Sequence, residues 1–258
     1  MLNNITPIIS TFNEAPNIRR VLNALTWAPE ILVIDSFSTD KTLEICAEFD
    51  NVRVVQNTYR GPTEQSNFGL TQEIKTDWVL SMDADYVVTQ ELEDELAQLA
   101  PDESVKGFEI GFKYLIKGNI LRGSLYPPRT ALYRHKFAHY QRDGHTQRVV
   151  IDGLVLGMQN KLHHDDRKPY GRWLTSQRKY AAQEAEKLKG VKWQTLSWPD
   201  RLRYWGLAPF AIIPYTLIFK GLALNGMAGL EYTWQRVVAE VYLQKARFDL
   251  KIAPRKPN

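Results

Sequence analysis

Over residues 1–100, short apolar runs alternate with stretches of helical spacing, and the alternation predicts repeated strand–helix units. Residues 5–10 predict a first strand. Asn13-Glu14-Ala15-Pro16 follows, and Pro16 is suited to open a helix whose apolar face is Ile18, Val21, Leu22 and Leu25. Residues 31–34 predict a second strand, and Ser38-Thr39-Asp40 supplies N-cap chemistry for a helix carrying Leu43, Cys46 and Phe49. Residues 52–55 are a third strand, 62–75 a helix, 78–82 a fourth strand and 90–99 a helix with acidic residues in its first turn. Four strands alternating with helices imply an α/β chain with a mostly parallel sheet, whose ligands collect at the carboxyl ends of the strands.

Those ends carry polar residues. The first strand runs into Ser10-Thr11-Phe12-Asn13-Glu14, the second into Asp35-Ser36, the fourth into Asp83-Ala84-Asp85. On extended backbone, side chains at i and i+2 share a side, so Asp83 and Asp85 can face one ligand together. Two carboxylates so close repel unless a cation lies near them. A hard divalent ion such as Mg²⁺ or Mn²⁺ takes oxygen ligands, often one or two carboxylates with water and phosphate oxygens. Such an ion would stabilise the charge on a departing diphosphate. Elsewhere a lone Asp-x-Asp is usually a solvated turn; its place behind Trp78-Val79-Leu80-Ser81-Met82 gives it weight.

Four stretches resemble the family 2 glycosyltransferases of GT-A (Rossmann-like) fold. They are Ile8-Ile9-Ser10-Thr11-Phe12-Asn13-Glu14, Ile34-Asp35-Ser36-Phe37-Ser38-Thr39-Asp40-Lys41-Thr42, Gln65-Ser66-Asn67-Phe68-Gly69, and Leu80-Ser81-Met82-Asp83-Ala84-Asp85. They occur in the family's order over roughly the first 90 residues. Asp35-Ser36-Phe37-Ser38-Thr39-Asp40 is most similar to the bacterial branch that includes lipopolysaccharide core β-1,4-glucosyltransferases. The resemblance implies an inverting transferase using a nucleotide sugar, with UDP the family's preference, and a metal ion, Mg²⁺ or Mn²⁺. It implies a nucleotide-sugar site of Thr11, Asn13, Glu14, Asp35, Gln65, Asn67 and Asp83, with Asp85 on the metal. Asp40 is equally well read as an acidic residue in a first helical turn.

Beyond residue 100 the alternation in 107–121 predicts antiparallel strands, and Arg122 to Arg129 reads as a loop able to hold a phosphate or an acceptor. An inverting transferase needs a carboxylate to take the acceptor's hydroxyl proton, and in the family it comes from the region of Arg142-Asp143-Gly144-His145-Thr146. Many relatives read Val-His-Glu where this chain has Gly144-His145-Thr146. The usual acid is therefore missing, and Asp143 becomes the candidate base, with His145 as base or orienting partner. In Leu162-His163-His164-Asp165-Asp166-Arg167-Lys168, His164 fits the family's terminal metal ligand better than His163. Arg167 and Lys168 are candidates to face a diphosphate directly.

Composition changes the picture only for the last third. Residues 1–160 carry 15 basic and 21 acidic side chains, residues 161–258 carry 18 and 8, so a part at −6 precedes one at +10. The overall +4 gives no reason to invoke nucleic acid. The basic excess points to an anionic partner, a phosphorylated acceptor or an anionic membrane surface. Residues 205–219 run 15 positions without a charge but contain Pro209 and Pro214. That is short and broken for a spanning helix and fits an interfacial or re-entrant seat flanked by Trp198, Arg201, Arg203, Trp205 and Lys220. The alternative is that 207–230 packs on the catalytic part or builds a homo-oligomer interface. The expected organisation is a GT-A catalytic domain over 1–165 (nucleotide half 1–100, acceptor half 101–165) and a helical membrane-associating extension over 166–258. A single cysteine, Cys46, and no leader pattern in residues 1–10 lead to the expectation of a cytoplasmic protein, peripheral on the inner face of the membrane. The acceptor reading is a cell-envelope glycan or glycolipid. A polyprenyl-phosphate glycosyltransferase or a non-catalytic sugar-nucleotide-binding protein are the alternatives.

Overall fold

The computed structural model describes residues 1–143, 146–189, 191 and 193–252. They form two compact units, one of Met1–Gly118 with Leu125–Lys168, the other of Asn119–Ser124 with Pro169–Asn258.

In the first unit, β1 (Ile5–Thr11), β2 (Ile31–Asp35), β3 (Val52–Gln56) and β4 (Trp78–Asp83) are parallel, in the order β3-β2-β1-β4. Helices α1 (Ile18–Asn23), α2 (Thr42–Cys46) and α3 (Pro62–Leu70) make the crossovers. β1, β2 and β4 are buried on both faces, as their unbroken apolar runs require, whereas the edge strand β3 is half-exposed. Trp78, Leu80 and Met82 of β4 enter a core with Ile5, Ile9 and Leu22, while Val79 joins Ile8, Ile34, Tyr133 and Tyr140 on the other face. Each such side chain contributes roughly 1.5–3 kcal/mol by leaving water.

After β4 the chain makes the two-residue strand β5 (Tyr86–Val87) and α4 (Gln90–Gln98), capped by Thr89, whose hydroxyl accepts from the Leu92 amide at 3.3 Å. Next come β6 (Val105–Ile116), then β7 (Asn119–Ile120) of the second unit, then β8 (Arg129–Arg134), a hairpin of β9 (Ala138–Asp143) and β10 (Thr146–Ile151), and β11 (Leu154–His164). Beyond β4 the sheet is mixed and continues β8-β6-β11-β5. β5 directly follows β4 in sequence yet pairs at the far edge, so the sheet curls until its β5 edge approaches the end of the central strand β4 at Asp83-Ala84-Asp85.

The helices expected to carry Leu25 and Phe49 end earlier, at Asn23 and Cys46, and two longer elements also differ from the sequence reading. The helix expected over 62–75 stops at Leu70, where the Thr71 hydroxyl and Gln72 amide turn back onto the Phe68 carbonyl at 2.8 and 3.1 Å. The alternation in 107–121 is mostly one long strand, β6, ended by Lys117 and Gly118 at φ 49° and 80°.

The second unit is helical: α5 (Tyr170–Lys187), α6 (Trp198–Tyr204), α7 (Ala208–Pro214), a π-type turn Tyr215–Phe219, a 3-10 turn Leu222–Asn225 and α8 (Gly226–Ile252). Ala181 and Ala185, one turn apart on α5, pack against Leu243 of α8. Arg203 of α6 pairs with Glu240 of α8 at 2.8 Å and with Asp200 at 3.0 Å. Among the described residues no single helix is long and apolar enough to cross a membrane; Ala208–Phe219 and Leu222–Leu250 together are, but they are bent by 75°.

Candidate functional site

The loops leaving β1 and β2 are locked to each other. Asn13, at φ 56°, donates its amide to Ser38 Oγ at 2.7 Å and accepts from the Thr39 amide at 2.7 Å. The left-handed conformation is one that Asn tolerates better than other non-glycine residues. The Glu14 amide donates to Thr42 Oγ1 at 2.7 Å, and the Ala15 amide to Asp40 at 3.1 Å. Asp40 therefore braces the two loops. Asp35 is fully buried and accepts from Thr11 Oγ1 at 3.0 Å, the Ser38 amide at 2.9 Å and Gln56 Nε2 at 3.2 Å. Gln65 bridges Asn57 and Ser36 at 2.9 and 3.1 Å, and Asn67 clamps the Tyr140 backbone with bonds of 3.0 and 2.8 Å. Of the residues expected at the nucleotide, Thr11, Asn13, Asp35 and Gln65 thus form one hydrogen-bonded floor, whereas Asn67 fastens α3 to β9.

Phe12 and Phe37 flank that floor, about half exposed at 50% and 52%. Phe37 holds φ 59°, a conformation that disfavours a bulky side chain. Sequence reasoning did not single out either ring, since an apolar residue in a polar loop gives no chemical signal by itself.

The Asp83-Ala84-Asp85 segment is positioned by pairing at both ends. Ser10 is in register with Asp83, and Tyr86 with His164. The second pairing sets His164 Nε2 3.4 Å from Asp85 Oδ2. Lys168 Nζ lies 2.8 Å from Glu14, 3.4 Å from Asp166 and 3.7 Å from Asp85. Burial pushes the Asp85 carboxyl up, but His164 and Lys168 outweigh it and hold the group well below the usual carboxylate range. Burial outweighs Lys168 at Glu14, whose pKa is raised. Lys168 itself stays charged, its pKa raised by Asp85, Glu14 and Asp166 against the burial that lowers it. The ring of His164 sits among Tyr114, Tyr126 and Tyr86, at centroid distances of 4.5, 4.7 and 5.3 Å. His163 points elsewhere in charge terms: burial and Lys113 lower its pKa, with Glu91 opposing.

Asp85 Oδ1 and His164 Nδ1 are buried without a hydrogen-bond partner. An orphaned carboxylate oxygen beside an imidazole is a donor pair that fits a divalent cation. Among the described residues no three His, Cys, Asp or Glu side chains converge on such a site. At this point the described residues offer two donors, the Asp85 carboxylate and the His164 imidazole.

Beside Asp83 a cavity of about 220 Å³ is lined by Ser81, Tyr86, Arg129, Tyr140, Gln147 and Arg148, among others. Arg129 reaches Tyr86 Oη at 3.5 Å and lies over the ring of Tyr126. Gln147 Oε1 is buried with no partner, so the cavity holds an unused acceptor. Asp143 ends β9, with its backbone paired to Thr146. His145 and the side chain of Asp143 lie outside the described residues.

A curled α/β sheet with carboxylates at the switch from its parallel to its mixed half is the GT-A arrangement. The family profile described as Glycosyl transferase family 2 matches residues 6–163. The chain belongs to that family. It is 32% identical over 170 residues to an uncharacterized glycosyltransferase of Rickettsia bellii (strain RML369-C), covering 62% of this chain but only 56% of that protein. A second, from Rickettsia felis, is 26% identical over 231 residues, 82% of this chain and 80% of that one. Among solved structures, the chain is similar to glucosyl-3-phosphoglycerate synthase from Mycobacterium tuberculosis in complex with Mn²⁺, UDP and glucosyl-3-phosphoglycerate (16% identity, 71% and 79% coverage, TM-score 0.47). It is also similar to S. aureus TarS 1-349 in complex with UDP (15%, 96% and 91%, TM-score 0.47).

Proposed function

We propose that the first unit transfers a sugar from a UDP-sugar, with inversion, to a cell-envelope glycan or glycolipid. The observation that carries this reading is the convergence of Asp85, Glu14, His164 and Lys168 just beyond Asp83 at the end of β4. Such a mixture of fixed acid and fixed cation suits a diphosphate bound through a metal.

In this reading Phe12 and Phe37 present faces to the base, above the floor of Thr11, Asp35 and Gln65. Asp85 and His164 would hold Mg²⁺ or Mn²⁺, which when bound supplies Lewis-acid stabilisation to the leaving diphosphate. Lys168, released from part of its acidic cluster, donates to the same phosphates as charge builds on them. The cavity beside Asp83 lies below the ~300–1,000 Å³ of pockets for drug-sized ligands, so it suits one small polar group such as a hexosyl unit. Arg129, Arg148 and Gln147 would fix its hydroxyls. Asp143 takes the acceptor's proton, the role the missing Glu leaves to it.

The test is UDP binding by calorimetry with and without Mn²⁺, followed by hydrolysis of a panel of nucleotide sugars. Asp85→Ala is expected to remove the Mn²⁺-dependent part of UDP binding and leave thermal unfolding near wild type. Equal Mn²⁺-dependent binding in that variant would sink the metal assignment. Failure of the wild type to bind or cleave any nucleotide sugar would sink the function.

A further inference from the structure

The second unit carries large apolar side chains on its surface and buries two threonine hydroxyls beneath them. Phe210, Ile218, Phe219, Leu224, Met227 and Trp234 are all 60–80% exposed. They cluster on the bent pair formed by α7 with the π-type turn and by the 3-10 turn with α8. At the heart of the same pair Thr216 is fully buried, and its hydroxyl donates to the Ile212 carbonyl at 2.8 Å, with the Ile213 carbonyl at 3.2 Å. Those carbonyls lie in the stretch where Pro214 interrupts the ladder. Thr216 Oγ1 also meets Thr233 Oγ1 at 3.0 Å, and Thr233 bonds the Gly229 carbonyl at 2.9 Å. A bent helical pair whose buried hydroxyls are satisfied internally, under a coat of bare hydrocarbon, suits a lipid environment better than water.

The bend is closed and basic. Gly229 lies so near the 3-10 turn that a Cβ there would meet the Leu222 carbonyl at 1.9 Å, and Gly221 takes φ 69°. Residues 119–124 are fastened along it. The Arg122 amide donates to Asn225 Oδ1 at 3.0 Å, Asn225 Nδ2 donates to the Ile120 carbonyl at 3.0 Å, and Gly123 abuts the Lys220 backbone. Exposed Arg122 thus joins Lys220 next to Phe219 and Leu224. No acidic residue occurs between Asp200 and Glu231. A second copy of this chain would bring the same two cations to a two-fold interface, whereas an anionic bilayer complements both the charge and the hydrocarbon. Arg203, expected among the lipid-facing cations, is instead neutralised by Asp200 and Glu240.

We propose that this bent pair seats in the headgroup–acyl boundary of an anionic bilayer without crossing it, Arg122 and Lys220 at the headgroups and Phe219, Ile218 and Leu224 below them. The proposal stands apart from the transfer chemistry of the first unit. The test is co-sedimentation of the full chain with vesicles of phosphatidylglycerol and phosphatidylcholine, or of phosphatidylcholine alone. Wild type is expected to pellet with the anionic vesicles, less at high salt. Ile218→Asp with Phe219→Asp, both at exposed positions and so compatible with the fold, is expected to lower partitioning by at least about tenfold with an unchanged melting temperature. Arg122→Gln with Lys220→Gln is expected to remove most of the salt dependence. Wild type remaining in the supernatant, or the Asp variant pelleting equally, would overturn the proposal. So would a concentration-dependent dimer, seen by sedimentation velocity without vesicles, that the Asp variant abolishes, since a second copy would then cover the apolar face.

Discussion

Replacing Lys168 by Met keeps the length of the side chain and deletes its charge. The ammonium lies 2.8, 3.4 and 3.7 Å from Glu14, Asp166 and Asp85, and the side chain is only 17% exposed. At an effective dielectric of about 20, each of these contacts corresponds to a gross attraction of about 4–6 kcal/mol. Desolvation and the mutual repulsion of the three carboxylates cancel most of that. Stripping one partner from a buried pair usually costs about 3–5 kcal/mol, and the remaining solvent access lowers the expectation here to about 2–4 kcal/mol. For a unit of this size that is roughly 5–15 °C in the melting transition. The Met variant also removes a cation that competes with a metal for Asp85. Mn²⁺ should therefore raise the melting temperature of Lys168→Met by more than that of wild type, an outcome read by differential scanning fluorimetry without substrate. If the variant melts within a degree or two of wild type, the acidic cluster does not depend on Lys168. If Mn²⁺ stabilises both proteins equally, Lys168 and the metal do not share Asp85.

Asp143→Asn should leave Mn²⁺-dependent UDP binding intact and cut transfer by about 10²–10⁴-fold, the usual worth of a positioned proton acceptor; wild-type turnover would move the base elsewhere. Gly229→Ala drives a methyl group into the Leu222 carbonyl and should destabilise the helical unit by several kcal/mol, on the scale of a backbone clash, visible as an early transition in thermal unfolding that wild type lacks. Burial first, then Lys136 and Lys113 respectively, lower the pKa values of His135 and His163. The unfolded chain then binds more protons than the folded one, so their contribution to stability is present above about pH 6.5 and lost as the pH falls below it. Urea midpoints at pH 7.5, 6.5 and 5.5 should show that loss shrinking in the His135→Gln, His163→Gln double variant; an identical pH dependence in both proteins would remove the histidines from the account.

The parallel half of the sheet was legible because its signals are local. Buried strands such as β2 and β4 read as unbroken apolar runs, and Pro62 and the acidic first turn after Gln90 mark where helices open. The far half was not, because its order rests on long-range pairing. Nothing local in Tyr86-Val87 says that it will cross to β11, or that β11 absorbs a bulge between Gly157 and Lys161 while the Gln159 and Asn160 amides bond Glu95. The early end of 62–75 was hidden for a related reason: Thr71 and Gln72 fit a helical spacing, and only their side-chain bonds to Phe68 betray the stop.

The site divides along the same line, and the division explains why its polar residues do different work. Thr11, Asn13 and Asp35 could be picked out because they sit where parallel strands end. The structure adds that their hydrogen bonds run largely between the loops after β1 and β2, to Ser38, Thr39 and Asp40 as well as from Thr11 to Asp35, so their first effect is to tie those two loops together. Asn67 carries the same kind of motif signal, yet both ends of its amide are committed to the backbone of Tyr140. It matters to the site by anchoring β9, the strand that ends at Asp143. His164 could be preferred to His163 only by resemblance, since the two are adjacent and chemically alike. What separates them is strand alternation: neighbouring residues on β11 face opposite ways, and the pairing with Tyr86 decides which of them meets Asp85. A one-residue slip of β11 would put His163 or Asp165 opposite Tyr86 in place of His164 and so change the partner that meets Asp85. The short strand β5 is therefore what makes this register chemically consequential, although it is two residues long and has no sequence signal of its own.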